Sequence, residues 1–236
     1  GKTIIPGFVD MHAHHYREWR GVRPKRDFEQ AIYLAYGVTT TLDPSMYSQN
    51  MFPTAELIDA GVMIGPRGFS TGDNITAGDA TRANEINNPA DALAMVRKMA
   101  DWGAVSIKQY AQPRRDQRQW MAEAVRTVGL NMTSEGGHFL EDLGFIMDGQ
   151  TGWEHAFDEL PMYSDGAKFF GQAGATYSAT LVVSGRTGNN IDYWFGESDV
   201  WKDAKQRRWF PWRALMAQTR VRSKRPDTDY NYPLGA

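Results

Sequence analysis

The stretch NPADALAMVRKMADWGAVSIKQY, Asn88–Tyr110, holds a complete passage from helix to strand. Asn88 offers a side-chain oxygen suited to an N-cap. Pro89 suits the first helical position, where its missing N–H removes nothing that the helix needs, and Gly103 suits the end, where left-handed backbone is required. The apolar run VSIKQY, Val105–Tyr110, then reads as a strand. A helix that ends two residues before a strand returns the chain across a sheet, and repetition of that unit makes the strands parallel.

The unit does repeat. Ile4–His14 reads as extended. A helix over Asp27–Tyr36 stops at Gly37 before the strand Val38–Asp43, and a short helix over Thr54–Ala60 precedes a strand around Met63 in VMIGPRGF. A helix over Asp116–Val128 ends at Gly129 before the strand Leu130–Glu135, Phe139–Met147 precedes Gly152–Ala156, and Ser164–Ala173 precedes Ala175–Val183. Seven strands alternating with helices predict an α/β protein, a (β/α)8 TIM-like barrel that stops after its seventh strand. Residues 1–183 carry those strands and helices. Residues 184–236 form an aromatic and basic excursion of the same domain, in which no further strand pattern recurs.

Composition narrows the function classes. The chain has 236 residues, 42% of them apolar, and no run of about 18 apolar residues that would span a bilayer. With 26 basic and 28 acidic residues, the overall charge recommends neither a nucleic acid nor an anionic membrane as partner. Without cysteine, any metal must be held by nitrogen and oxygen. The expected protein is soluble, in the cytoplasm or the periplasm, and able to form homo-oligomers. Its first residue is Gly1 rather than Met, with no signal-like segment, as expected of a processed product or of a fragment of a longer protein.

Active sites of such barrels lie at the C-terminal ends of the strands. In GFVDMHAHH, Gly7–His15, alternation along an extended chain places Phe8, Asp10, His12 and His14 on one face, so two imidazoles and a carboxylate reach the end of the first strand together. Lys108 interrupts an apolar strand, where burial disfavours an ammonium group. As a neutral amine it can add carbon dioxide and become a carbamate, an anionic metal ligand; as an ammonium it would pair with an acid or reach the rim. Glu135 ends the fifth strand and His155 the sixth. Asp10 suits a supporting role, accepting an imidazole N–H or balancing charge at the mouth.

The string PGFVDMHAH, with IKQY and DGQTGWEHA, resembles the amidohydrolase superfamily of metal-dependent hydrolases. The likeness is to the branch containing imidazolonepropionase-like and prolidase-like enzymes, and within it to amidohydrolase domains fused to TolB-like propellers. What the resemblance implies is a distorted TIM barrel holding one or two divalent ions, usually zinc, that hydrolyses a C–N bond in a small amide, a cyclic amide or a short peptide. By motif, His12 and His14 would bind one ion, Lys108 as a carbamate would bridge, and His155 would bind the second.

Two departures from the family pattern stand out. Its fifth strand usually ends in histidine, whereas SEGG places Glu135 there; an oxygen ligand makes the site more tolerant of manganese or iron. His138, just beyond the Gly136-Gly137 pair, is the alternative donor. The family's eighth-strand aspartate, which handles the proton of the attacking water, has no counterpart: Asp158, Asp192, Asp199, Asp227 and Asp229 do not fit its context, so the catalytic base is unassigned. The family's flanking β-sandwich is missing as well. A barrel lacking its last strand is expected to expose two sheet edges, with poor solubility, edge pairing between chains, or a weak or partly filled metal site as the result.

Tyr110 and Trp194 complete the candidates for the substrate region, Trp194 as part of an aromatic segment that either covers the mouth or packs on the barrel flank. A catalytically inactive scaffold acting as a binding module is the alternative to an enzyme.

Overall fold

A computed structural model of the chain describes residues 1–15, 26–76, 86–110, 114–136, 138–157, 162–183 and 198–218. Its strands are β1 (Phe8–Asp10), β2 (Val38–Asp43), β3 (Arg67–Ser70), β4 (Ser106–Gln109), β5 (Asn131–Glu135), β6 (Gly152–Glu154) and β7 (Thr176–Ser178). Between them run α1 (Phe28–Ala35), α2 (Ser48–Asp59), α3 (Pro89–Asp101), α4 (Arg115–Val128), α5 (Phe139–Met147) and α6 (Ser164–Ala173).

The end signals in the sequence act as chemistry requires. Asp27 accepts the Glu29 N–H at 2.8 Å, Asn88 accepts the Asp91 N–H at 3.0 Å, and Gly129 ends α4 in left-handed backbone at φ 82°. Every pairing is parallel and follows chain order, β1–β2–β3 in one ladder and β4–β5–β6–β7 in the other. Backbone bonds join the two ladders. Val105 N–H donates to Ser70 O at 3.1 Å, and Ile75 donates to Lys108 O at 2.9 Å while accepting from Tyr110 N–H at 2.8 Å. Sequential βα units in one parallel sheet build a TIM-like barrel wall whose strand C-termini share a rim. Among the described residues no eighth strand follows β7.

Two apolar clusters hold helices to the outside of that wall. Ile75, Val96, Met99, Ile107, Met121, Val125 and Met132 close α3 and α4 onto β4 and β5. Trp153, Phe157 and Phe170 do the same for α6 on β6. At about 25 cal/mol per Å² of apolar surface, each fully buried aliphatic side chain contributes roughly 1.5–3 kcal/mol. The free edges among the described strands belong to β1 and β7, and apolar residues stand exposed beside them: Ile4, Ile5, Phe8 and Val9 on one side, Tyr177 and Leu181–Val183 on the other.

Several element boundaries differ from the sequence expectation, among them the sixth strand, which ends at Glu154 rather than Ala156 and leaves His155 just beyond it. The first strand ends at Asp10 rather than His14, because the Asp10 carboxylate accepts the His12 N–H at 3.0 Å and turns the chain out of the sheet. The second helix begins at Ser48, not Thr54; Pro53 lies inside it, and the Thr54 hydroxyl donates to Asn50 O at 2.8 Å in the turn that Pro53 interrupts. The third strand starts only after Pro66, whose ring removes a ladder donor. The seventh is three residues long, and Leu181–Val183 form a 3-10 turn after Thr180, which has φ 25°.

Beyond β7 the described part of the excursion contains α7 (Ala204–Trp209) and α8 (Trp212–Gln218). It packs back on α1. Lys205 donates to Ala35 O at 3.1 Å, Gln206 donates to the Tyr36 hydroxyl at 2.9 Å, and the Phe210 ring meets Phe28 at 5.6 Å. These contacts run from the C-terminus of α1 to its N-terminus, so α7 lies antiparallel along the barrel flank. Trp194 lies outside the described residues.

Candidate metal centre

The rim gathers polar side chains from β1, β2, β4, β5 and β6. His12 and His14 follow the Asp10 turn, and Ala13 between them is tied to the end of β2 by its N–H on Leu42 O at 2.9 Å. That tether presents both imidazoles to the mouth. His12 Nδ1 lies 2.7 Å from Glu154 Oε2, while Glu154 Oε1 accepts the Thr133 hydroxyl at 2.9 Å. His14 Nδ1 lies 3.1 Å from Oδ1 of Asp43, whose two oxygens also accept the backbone N–H groups of Ser45 and His15.

Ionised carboxylates only accept hydrogen bonds, so each imidazole carries its proton on Nδ1 and turns an Nε2 lone pair inward. Those two Nε2 atoms face each other at 3.1 Å with the rings nearly perpendicular, at 88°. Two lone pairs at that distance repel unless a proton or a metal ion lies between them. Two nitrogens each about 2.0–2.1 Å from one zinc ion at a tetrahedral angle would be about 3.3 Å apart. The donor set therefore fits a divalent ion.

The other side of the mouth is built around Glu135. Its Oε1 lies 2.7 Å from His155 Nε2, and its Oε2 lies 3.0 Å from Lys108 Nζ. Lys108 is 1% exposed, and its Nζ makes no well-directed hydrogen bond. Burial lowers its affinity for a proton, with the charges of Glu135 and Glu154 opposing that effect. For Glu135 burial acts upward, but the His155 hydrogen bond and the charges of Lys108 and His155 outweigh it and hold the carboxyl at about 2. Glu154 is likewise raised by burial and brought below its usual range by His12 and Lys108.

The ring of His155 sits 5.0 Å from that of His12, joining the two sides. Its backbone has φ 74°, a conformation that side-chain-bearing residues rarely adopt, and its Nδ1 contacts the hydroxyl of Thr180, the other non-glycine residue of positive φ among the described residues. Strain of this kind persists where the surroundings enforce it, and it concentrates at functional sites.

His12, His14, Lys108, Glu135 and His155 are thus brought together. Asp10 supports His12 through the backbone and not, as one expectation had it, through an imidazole N–H. Tyr110 lies beside the centre, its ring 5.6 Å from Lys108 Nζ. His138 is the exposed N-cap residue of α5. Among the described residues no three His, Asp or Glu side chains close on one point as a finished metal cage; the donors pair with one another.

Sequence reasoning missed Asp43 and Glu154, the two acids that fix the imidazoles. Both were findable, since each is a polar residue at the C-terminal end of a strand, as Glu135 is. It also missed His15, which is buried with Nε2 3.1 Å from the Thr41 hydroxyl and Nδ1 3.0 Å from the Gln30 amide. Burial holds that imidazole below its ordinary value, so it is a neutral prop under the site.

With this geometry the chain can be set beside known proteins. No family model matches the sequence, and no curated protein does. Solved structures do match. A Xaa-Pro dipeptidase with bound methionine in its active site superposes with a TM-score of 0.58 at 19% identity, over 91% of this chain and 59% of that one. The ochratoxinase of A. niger gives 0.62 at 16% identity, over 91% of this chain and 58% of that one. A bottromycin amidohydrolase gives 0.61 at 16%, over 95% and 51%. The likeness is one of fold, an α/β TIM-like barrel shared with these structures. The chain spans between half and three-fifths of the length of these three structures.

Proposed function

We propose that this chain carries the metal centre of a hydrolase acting on C–N bonds in small amides or short peptides. One observation supports this above the others: two imidazoles, each oriented through Nδ1 by a buried carboxylate, present their Nε2 lone pairs to one point. His12 and His14 would hold one divalent ion, and His155 and Glu135, with Lys108, a second; zinc suits the nitrogen donors, while the oxygen of Glu135 also admits manganese or iron.

An ion bound there supplies Lewis acidity toward a carbonyl and makes a water molecule more acidic. The protein's own residues do the rest. Glu154 and Asp43 keep the imidazoles in the tautomer that binds metal. Lys108, biased by burial toward the amine, adds carbon dioxide at Nζ with release of one proton, giving a carbamate. Its ammonium pairing with Glu135 then ends, and Glu135 becomes available as a ligand. Binding of the ions and carboxylation of Lys108 support each other, because two carboxylates a few ångströms apart need cations between them.

The test is the metal content and amide-hydrolase activity of the protein supplied with zinc or manganese and bicarbonate, against Lys108→Ala. Unchanged metal content and unchanged hydrolysis in that variant would remove the carbamate from the account. A binding scaffold without catalysis is the second reading, favoured by the lack of an eighth-strand acid among the described residues. A chain extended through that strand that binds metal and hydrolyses nothing across an amide panel would establish it.

A further inference from the structure

The overall charge of −2 conceals a segregation: residues 204–226 contain eight basic residues and no acidic one, leaving ten excess negative charges for the rest of the chain. In the described part, Lys202, Lys205, Arg207, Arg208 and Arg213 are all exposed. Three tryptophans are exposed among them, Trp201 by 37%, Trp209 by 38% and Trp212 by 53%. Lys202 pairs with Asp199, but Arg207, Arg208 and Arg213 have no acidic partner among the described residues. The platform is anchored through Phe210 on Phe28 and through Lys205 and Gln206 on the end of α1, with Leu215 buried beneath it. It stands on the barrel flank against α1.

We infer that Lys202–Arg213 form a docking surface for an anionic phospholipid surface. Tryptophans with an apolar body and a polar edge, set among lysines and arginines, match the boundary between head groups and acyl chains. Single-stranded nucleic acid fits less well, because it needs open ring faces on which bases stack. Here cations cover those faces: Lys202 Nζ lies 4.9 Å from the Trp201 ring centre, the Arg208 guanidinium 5.8 Å from Trp209, and that of Arg207 6.0 Å from Trp212. Charge complementarity selects the acidic lipid, and the exposed rings give it depth.

The experiment is flotation of the full chain with vesicles of phosphatidylcholine alone and with about a third phosphatidylserine. Binding is expected to the anionic vesicles only and to weaken as the Debye length contracts from about 10 Å at 0.1 M salt to 3 Å at 1 M. Each arginine contributes about fivefold, so R207Q/R208Q is expected to lower partitioning about 25-fold. W212A is expected to weaken it at unchanged charge. Circular dichroism of each variant establishes that the fold is intact. Equal binding to neutral vesicles, insensitivity to both variants, or retention of an oligothymidine in place of vesicles would each overturn the proposal.

Discussion

Glu154→Gln removes a charge and almost no volume from beneath His12. In the native site Glu154 Oε2 lies 2.7 Å from His12 Nδ1, and its other oxygen accepts the Thr133 hydroxyl. The amide can still accept one of these bonds, yet its NH2 group must face one of the two donors. The inward lone pair of His12 then loses its electrostatic support, because a neutral amide oxygen is a weaker partner for Nδ1–H than a carboxylate. Loss of such a partner typically costs 10–100-fold in metal affinity, which is about 1.4–2.7 kcal/mol. Zinc affinity measured by competition with a chromogenic chelator should fall by that factor, while the metal-free variant keeps its unfolding midpoint within a few degrees. An affinity within twofold of the native chain would refute the assignment of His12 as a ligand oriented by Glu154.

Further outcomes follow from other parts of the molecule. The Glu135 carboxyl is held at about 2 against an unfolded value near 4.5, so its contribution is present above the unfolded value and is lost as pH falls from there toward 2. With one-third of the side chain exposed to screening water, that contribution is about 1–3 kcal/mol; in chelated protein, Glu135→Gln should reduce the difference in urea stability between pH 7 and pH 3 by rather more than half of this amount, the remainder being lost only below pH 3. Met121→Ala, at a fully buried position between α4 and the sheet, should cost about 2–5 kcal/mol in urea unfolding. Gly136→Ala would set a methyl 2.5 Å from Asp142 Oδ1 and 2.8 Å from Glu154 O, both closer than real contacts allow. It should therefore weaken zinc binding by displacing the β5–β6 end, and unchanged binding would show that the rim is softer than described.

The βα alternation was legible because caps and strand composition are local. Asp27, Asn88 and Gly129 act where their chemistry predicts, and β2 and α5 match their sequence bounds to the residue. Boundaries went astray where a tertiary or side-chain bond overrode periodicity, as at Asp10, whose carboxylate ends β1 before the histidines that alternation had placed on it. Site donors were legible because a polar residue at the end of an apolar strand is costly without a purpose. Asp43 and Glu154 are equally costly there; they went unread because their partners, His14 and His12, lie 29 and 142 residues away in sequence. The positive φ of His155 had no local signal at all, since neither glycine nor asparagine marks the position.

The most direct test of the account is the metal content per chain, by elemental analysis after exposure to zinc or manganese with bicarbonate and gentle desalting. One to two equivalents are predicted, dropping in His12→Ala and His14→Ala variants that remain folded. A folded native chain that retains no metal, or variants that retain as much as the native chain, would contradict a metal centre at this rim.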